Sequence, residues 1–131
     1  MQQQYPIALL FSVFKGNRRK SDNVMCHIAA YDELVRNGVP FKEVSGMYKN
    51  ESELSFIVFG DKAVQTGMVI AKSFNQESVL LLDQDRNATL IDCKTDTSTP
   101  LGRFKAVHES IAKRSTGWTF DNVTKQFFIC E

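Results

Sequence analysis

Three observations predict an α+β fold. Apolar runs suited to buried strands occur at Tyr5–Phe14, Glu53–Phe59 and Ser78–Leu82. Between them lie two stretches with apolar residues at helical spacing, Asn23–Asn37 and Lys62–Phe74. A weaker alternating stretch, Phe41–Met47, meets the second strong strand across a short polar turn, as the strands of a hairpin do. The order β-α-β-β-α-β is the ferredoxin-like split pattern, an antiparallel sheet with two helices on one face, and it predicts a βαββαβ sandwich plus C-terminal extra strands.

Each element has its own justification. Tyr5–Phe14 is nearly continuous in apolar residues, which suits a central strand covered on both faces. It breaks at Lys15-Gly16-Asn17, crosses the basic turn Arg18-Arg19-Lys20, and a helix begins behind Ser21 with Asp22 or Asn23 as N-cap. Val24, Ile28, Tyr31 and Val35 form its apolar stripe; Asn37-Gly38 and Pro40 stop it. Tyr48–Ser52 is turn-like, and Gly60-Asp61 ends the Glu53–Phe59 strand. Ala63, Val64, Met68, Ala71 and Phe74 stripe the second helix, which Gly67 weakens. Ser78–Leu82 is a buried strand near a sheet edge; Asp83–Asn87 turns into a further strand, Ala88–Cys93. Right-handed crossovers place the first and third strands side by side and antiparallel, so the end of one and the start of the other share an edge.

Beyond the polar linker Lys94–Pro100, a strand at Gly102–Val107, a short helix or loop at His108–Arg114 and a hairpin of Gly117–Phe120 with Lys125–Cys130 are expected. The 131 residues fit one domain, with 1–83 as the core and 84–131 as an extension.

Composition narrows the function. At 43% hydrophobic and 24% charged, with ten Phe, the chain can build a core. A net charge of +1 gives no bulk electrostatic case for nucleic acid or a membrane surface, and Lys15–Lys20 reads as a solvated basic loop. There is no aromatic pattern of RNA-binding sheets. No apolar run reaches the roughly 18 residues of a membrane span, and the N-terminal stretch does not read as a signal peptide. Three cysteines without a CxxC pair point to a reducing, cytoplasmic setting. Two histidines are too few for a multi-histidine metal site, and GxSxG, P-loop, GxGxxG and HExxH motifs are all missing. Cys26 and His27, adjacent on a helix, point about 100° apart and form no dyad.

The polar residues best placed for chemistry are Ser12, Asn17, Asn23, His27, Tyr48, Glu53 and Gln76, with Glu51 competing with Glu53. A hydroxyl inside an apolar strand needs a partner. Asn23 and His27, four apart on a helix, face the same loop. A carboxylate opening an apolar strand is either a solvated strand end or an inward-facing site group. Each also fits an ordinary structural role, as cap, turn residue, loop amide or surface tyrosine, so the case rests on the set.

That set resembles the phage S-adenosylmethionine (SAM) hydrolases, better described as SAM lyases, of T7-like coliphages. The resemblance is carried by Ser12-x-Phe14-Lys15-x-Asn17, by Asn23 and His27 on the following helix, by Gly46-Met47-Tyr48, by Glu53, and by Gln76 ahead of Val79-Leu80. It implies cleavage of SAM to methylthioadenosine and homoserine lactone by the substrate's own carboxylate, in the service of anti-restriction. It implies Tyr48 and Glu53 as catalytic residues, and Ser12, Phe14, Asn17, Asn23, His27, Glu51 and Gln76 as substrate-binding residues. It further implies no metal and no cofactor, the bacterial host cytoplasm, and a homotrimer with sites between subunits. Two other function classes fit the same residues: a non-catalytic module that binds an adenosine ligand, and a phage protein that inhibits a host enzyme through an exposed strand edge.

Overall fold

The structure is a computed structural model that describes residues 5–48 and 51–131. Its elements are β1 (Ala8–Phe11), α1 (Lys20–Asn37), β2 (Phe41–Tyr48), β3 (Glu51–Phe59), α2 (Asp61–Ser73), β4 (Ser78–Leu82), β5 (Asn87–Asp92), β6 (Ser98–Val107), α3 (Glu109–Ala112), β7 (Gly117–Asp121) and β8 (Gln126–Cys130). The expected turn at Tyr48–Ser52 is shorter than its sequence suggests, because strand pairing runs up to Tyr48↔Glu51; residues 49 and 50 lie outside the described residues.

The ferredoxin-like sandwich is not the fold. The eight strands close into one antiparallel barrel in the order β1-β3-β2-β7-β8-β6-β5-β4. The βαββαβ order up to Leu82 is present, and β1 does lie antiparallel to β3, with Phe11 opposite Phe56. An open sandwich would leave β2 and β4 as edges. Here β7 pairs with β2, β5 pairs with β4, and β6 pairs with β8 to complete the circle. The segment expected as an extension therefore supplies half the barrel wall, and β4 has no free edge for a partner to cover.

Alternation along β1 and β3 builds two cores, one on each side of the wall. Leu9, Phe11, Val13, Phe56 and Val58 point outward beneath α1 and α2, where they pack with Ala30, Leu34, Ala63, Ile70 and Ala71. Ala8, Leu10, Ile57 and Phe59 point inward and meet Val44, Leu80, Leu82, Ala88, Phe104 and Phe128. Inside the barrel the Phe104 and Phe128 rings stack at 4.9 Å. Gly67 does not merely weaken α2. A Cβ there would lie 3.0–3.1 Å from the side chains of Phe11, Leu9 and Val58, so its absence lets the helix press onto the wall.

The stripe expected on α1 is displaced by one residue. Asn23, His27, Ala30 and Leu34 are buried, whereas Ile28 and Val35 are 55% and 56% exposed, with Val24 and Tyr31 less so. The helix also begins earlier than expected. Arg19 occupies the N-cap position without a side-chain cap bond, so neither Asp22 nor Asn23 is the cap.

Phe56 is the hub of the outer core. It is fully buried, stacks on His27 at 4.2 Å and meets Phe11 and Phe41 at 5.5 and 5.9 Å. Phe56→Ala is expected to cost about 3–5 kcal/mol in chemical denaturation. A chain ending at Asp83, stripped of half the barrel, is expected to show no cooperative thermal transition by circular dichroism where the full chain shows one.

Candidate functional site

The loop between β1 and α1 is held by side chains from four places. Ser12 Oγ donates to Leu54 O at 2.7 Å and accepts from Phe14 N at 3.0 Å. The Asn23 carboxamide closes a double bond on Lys15, accepting from its N–H and donating to its carbonyl, both at 2.9 Å. Gln76 Nε2 donates to Phe14 O at 2.7 Å. Arg18, expected to be solvated, folds back: Nη1 reaches Val13 O at 2.8 Å and Cys26 Sγ at 3.3 Å, and Nη2 reaches Phe74 O at 3.0 Å. With the Phe14 and Lys15 amides thus paired, those of Gly16 and Asn17 donate to no described residue.

The loop lies against one mouth of the barrel. A Cβ at Gly16 would sit 2.7 Å from Glu51 Oε2, so this carboxylate packs on the bare backbone there. Strand register then lays out the inner wall in rows. Glu51, Tyr48 and Gly117 lie side by side across β3, β2 and β7, and Glu53, Gly46 and Thr119 form the next row inward. Ser55 and Val44 follow. Cross-strand partners project to the same side, and Val44 and Ile57 in the inner core fix that side as the interior. The Tyr48 ring packs over Gly117, whose missing Cβ would meet Tyr48 Cδ2 at 3.0 Å.

Burial and a neighbour of like charge act together on Glu53. Desolvation, then the charge of Glu51 two residues away on the same face, raise its pKa from 4.5 to about 7. Glu53 is thus a carboxyl poised near neutrality, partly withdrawn from water and beside a second carboxylate, the kind of perturbed group that clusters at functional sites.

The predicted residues therefore divide into three groups. Ser12, Asn23, Gln76 and the backbone of Phe14 build the loop, and Asn17 is exposed at its tip. Tyr48, Glu51 and Glu53 share the mouth. His27 stands apart beneath α1, with Nε2 2.8 Å from Glu43 Oε1, the ring stacked on Phe56, and Nδ1 buried without a partner among the described residues. Sequence reasoning missed Arg18, because nothing in a run of three basic residues marks the one that turns inward. It also missed Gly16 and Gly117, whose roles depend on contacts distant in sequence, although Gly46-x-Tyr48 pointed to the right strand.

Among the described residues no group of three or more His, Cys, Asp or Glu side chains is arranged to hold a metal ion, and no helix is long and apolar enough to cross a membrane. Two surface depressions lie elsewhere: one of about 490 Å³ at Gly60, Asp61 and Asp83–Asp85, and one of about 750 Å³ between α1 and α2.

The fold and site together are a closed antiparallel barrel with an acidic, glycine-lined mouth under a hydrogen-bonded loop. Residues 9–131 match the S-Adenosylmethionine lyase family, and the chain belongs to that family. By family it is an enzyme, an S-adenosylmethionine lyase, whose substrate carries a permanent sulfonium charge. No curated protein matches the chain.

Because Glu53 is easier to protonate in the fold than in the open chain, its cost to stability is nil below its ordinary value of 4.5 and complete above about 7. Glu53→Gln is therefore expected to stabilise the protein at pH 8 by about 1–2 kcal/mol, after discounting for partial solvation, and to change little at pH 4. Urea unfolding of both proteins at the two pH values measures this.

Proposed function

We propose that the mouth bearing Tyr48, Glu51 and Glu53 binds SAM and that the enzyme releases 5'-methylthioadenosine and L-homoserine lactone. The observation that carries this reading is the carboxyl pair on one wall, Glu53 partly withdrawn from water and Glu51 exposed beside it, in a family whose substrate is a sulfonium. A cation lowers the cost of ionising both groups. The Tyr48 ring offers a π face to the sulfonium, and the amides of Gly16 and Asn17, which donate to no described residue, meet polar groups of the substrate.

The chemistry suits a site that positions rather than attacks. An oxygen of the substrate's own carboxylate forms a bond to Cγ as the Cγ–S bond breaks, and the electron pair returns to sulfur. The sulfonium becomes a neutral thioether and the methionyl chain a lactone, with no proton transferred. Such a step gains from a held reactive conformer, which supplies up to about 7–11 kcal/mol, and from exclusion of water. Glu53 holds the cationic end of the substrate. Ser12, Asn23, Gln76 and Arg18 position the loop above it, and His27 with Glu43 seats α1, which carries Asn23. Withdrawal of SAM in a phage-infected host cytoplasm would serve anti-restriction. The reading includes a homotrimer, supported by the apolar stripe that α1 leaves exposed; sedimentation at the mass of one 14.9 kDa chain counts against it.

Incubation with SAM in heavy-oxygen water, followed by mass spectrometry, tests the reaction. Methylthioadenosine with unlabelled homoserine lactone is expected. Label in newly formed homoserine, with lactone opening controlled for, would mean hydrolysis instead, and intact SAM would favour a protein that binds without cleaving.

Only ionised Glu53 attracts the cationic end of the substrate. kcat/KM is expected to rise with pH through about 7. In Glu53→Gln it is expected to be low and flat, and a wild-type profile flat between pH 6 and 8 would remove Glu53 from the scheme.

A further inference from the structure

The row that holds Glu53 contains a notch. At Gly46, between Glu53 on β3 and Thr119 on β7, an added Cβ would have only two atoms of non-neighbouring residues within 4 Å, Trp118 O at 3.0 Å and Thr119 Cα at 4.0 Å. Among the described residues, no side chain beyond its chain neighbours comes within 4 Å of that Cβ. Two polar side chains border it. Thr119 is 8% exposed, and Ser55, one inward position below Glu53, is 6% exposed. Neither hydroxyl has a hydrogen-bond partner among the described residues, yet neither is sealed from the surface; of the described buried side-chain polar atoms, only His27 Nδ1 is both. A buried hydroxyl without a partner carries a desolvation cost that a ligand relieves.

We infer that the Gly46 notch is the subsite for the α-ammonium of the substrate, with Glu53, Ser55 and Thr119 as its three acceptors. This assignment rests on the SAM reading of the mouth and extends it to Ser55 and Thr119. An ammonium is a compact, donor-only cation with three N–H bonds, and one carboxylate with two hydroxyls supplies one charge and three acceptors. The dimensions agree. β3 and β7 are separated by β2, so the Cβ atoms of Glu53 and Thr119 stand about 10 Å apart. A carboxylate and a hydroxyl reaching toward each other across that span leave room for one nitrogen at about 2.8–3.0 Å from each. Tyr48 lies in the adjoining row, about 7 Å farther out along the strand. A sulfonium against its ring and an ammonium in the notch are thus spaced for a short methionyl chain, and Gly46 is glycine because any side chain would occupy the ammonium's place.

Thr119→Val keeps the volume and removes the hydroxyl. It is expected to raise KM for SAM by about 10-fold or more, whereas the inhibition constant of methylthioadenosine, which lacks the amino acid portion, stays within about 2-fold. Ser55→Ala is expected to do the same, and Thr119→Ser, which restores the hydroxyl, to return KM to within about 2-fold of wild type. Equal weakening of SAM and methylthioadenosine would overturn the assignment by placing Thr119 at the nucleoside or in the fold. An unchanged KM in both Thr119→Val and Ser55→Ala would also overturn it, while leaving the SAM reading intact. A wild-type protein that neither binds nor cleaves SAM would remove the reading and the subsite together.

Discussion

Every feature of the site depends on the strict two-residue alternation of β3. Phe56 and Val58 must point outward, because both are fully buried in the outer core under α1 and α2, where Phe56 is the largest side chain without solvent exposure. Ile57 and Phe59 must then point inward, and two-residue steps back along the strand carry Ser55, Glu53 and Glu51 inward as well. A slip of one residue would drive the carboxylates into the apolar layer beneath the helices. The packing energy of Phe56 is therefore also what holds the acidic residues at the mouth.

The loop opposite them is fixed by a different means. A segment containing Lys15, Gly16 and Asn17 has little apolar area with which to anchor itself, and its order comes from hydrogen bonds supplied by distant residues. Gln76, at the end of α2, and Arg18, which bonds to the carbonyl of Phe74, tie the loop to the same helix terminus. α2 in turn is pressed onto β1 at Gly67. The loop is thus registered against the barrel wall both through α2 and directly at β3 through Ser12 and Glu51, and Ser12, Asn23 and Gln76 hydrogen-bond to its backbone.

This explains which parts were legible. Local pattern gave the element order and the pairing of β1 with β3, since both follow from periodicity and crossover handedness. It did not give closure. The pairings β2–β7 and β6–β8 join segments with no local signature of their partner, and a chain read from its N-terminus completes a plausible open sandwich before reaching them. The face of α1 was misread for a related reason. Val24, Ile28, Tyr31 and Val35 outrank Asn23, His27 and Ala30 in hydropathy, yet the buried face is set by the hydrogen bonds of Asn23 and His27 to Lys15 and Glu43. At the candidate site, Tyr48 and Glu53 stood out in the sequence because an aromatic and a carboxylate bracketing a hairpin are conspicuous. Thr119 did not, because its place in the row of Glu53 exists only through its register with Gly46.

Under the proposed function, stability and function pull apart at Glu53. A barrel selected for stability alone would place a neutral or apolar residue there, since both burial and Glu51 oppose its ionisation. The fold tolerates it because the rest of the wall is closed and packed, so one strained carboxyl at the rim is a small part of the total. A permanent cation is the ligand that removes both penalties at once: it restores a favourable electrostatic environment and separates the charges of Glu51 and Glu53. The unfavourable electrostatics of Glu53 beside Glu51 and the proposed affinity for a cationic substrate are in this sense one quantity, and the pH at which the first becomes complete is the pH at which the second is expected to become available.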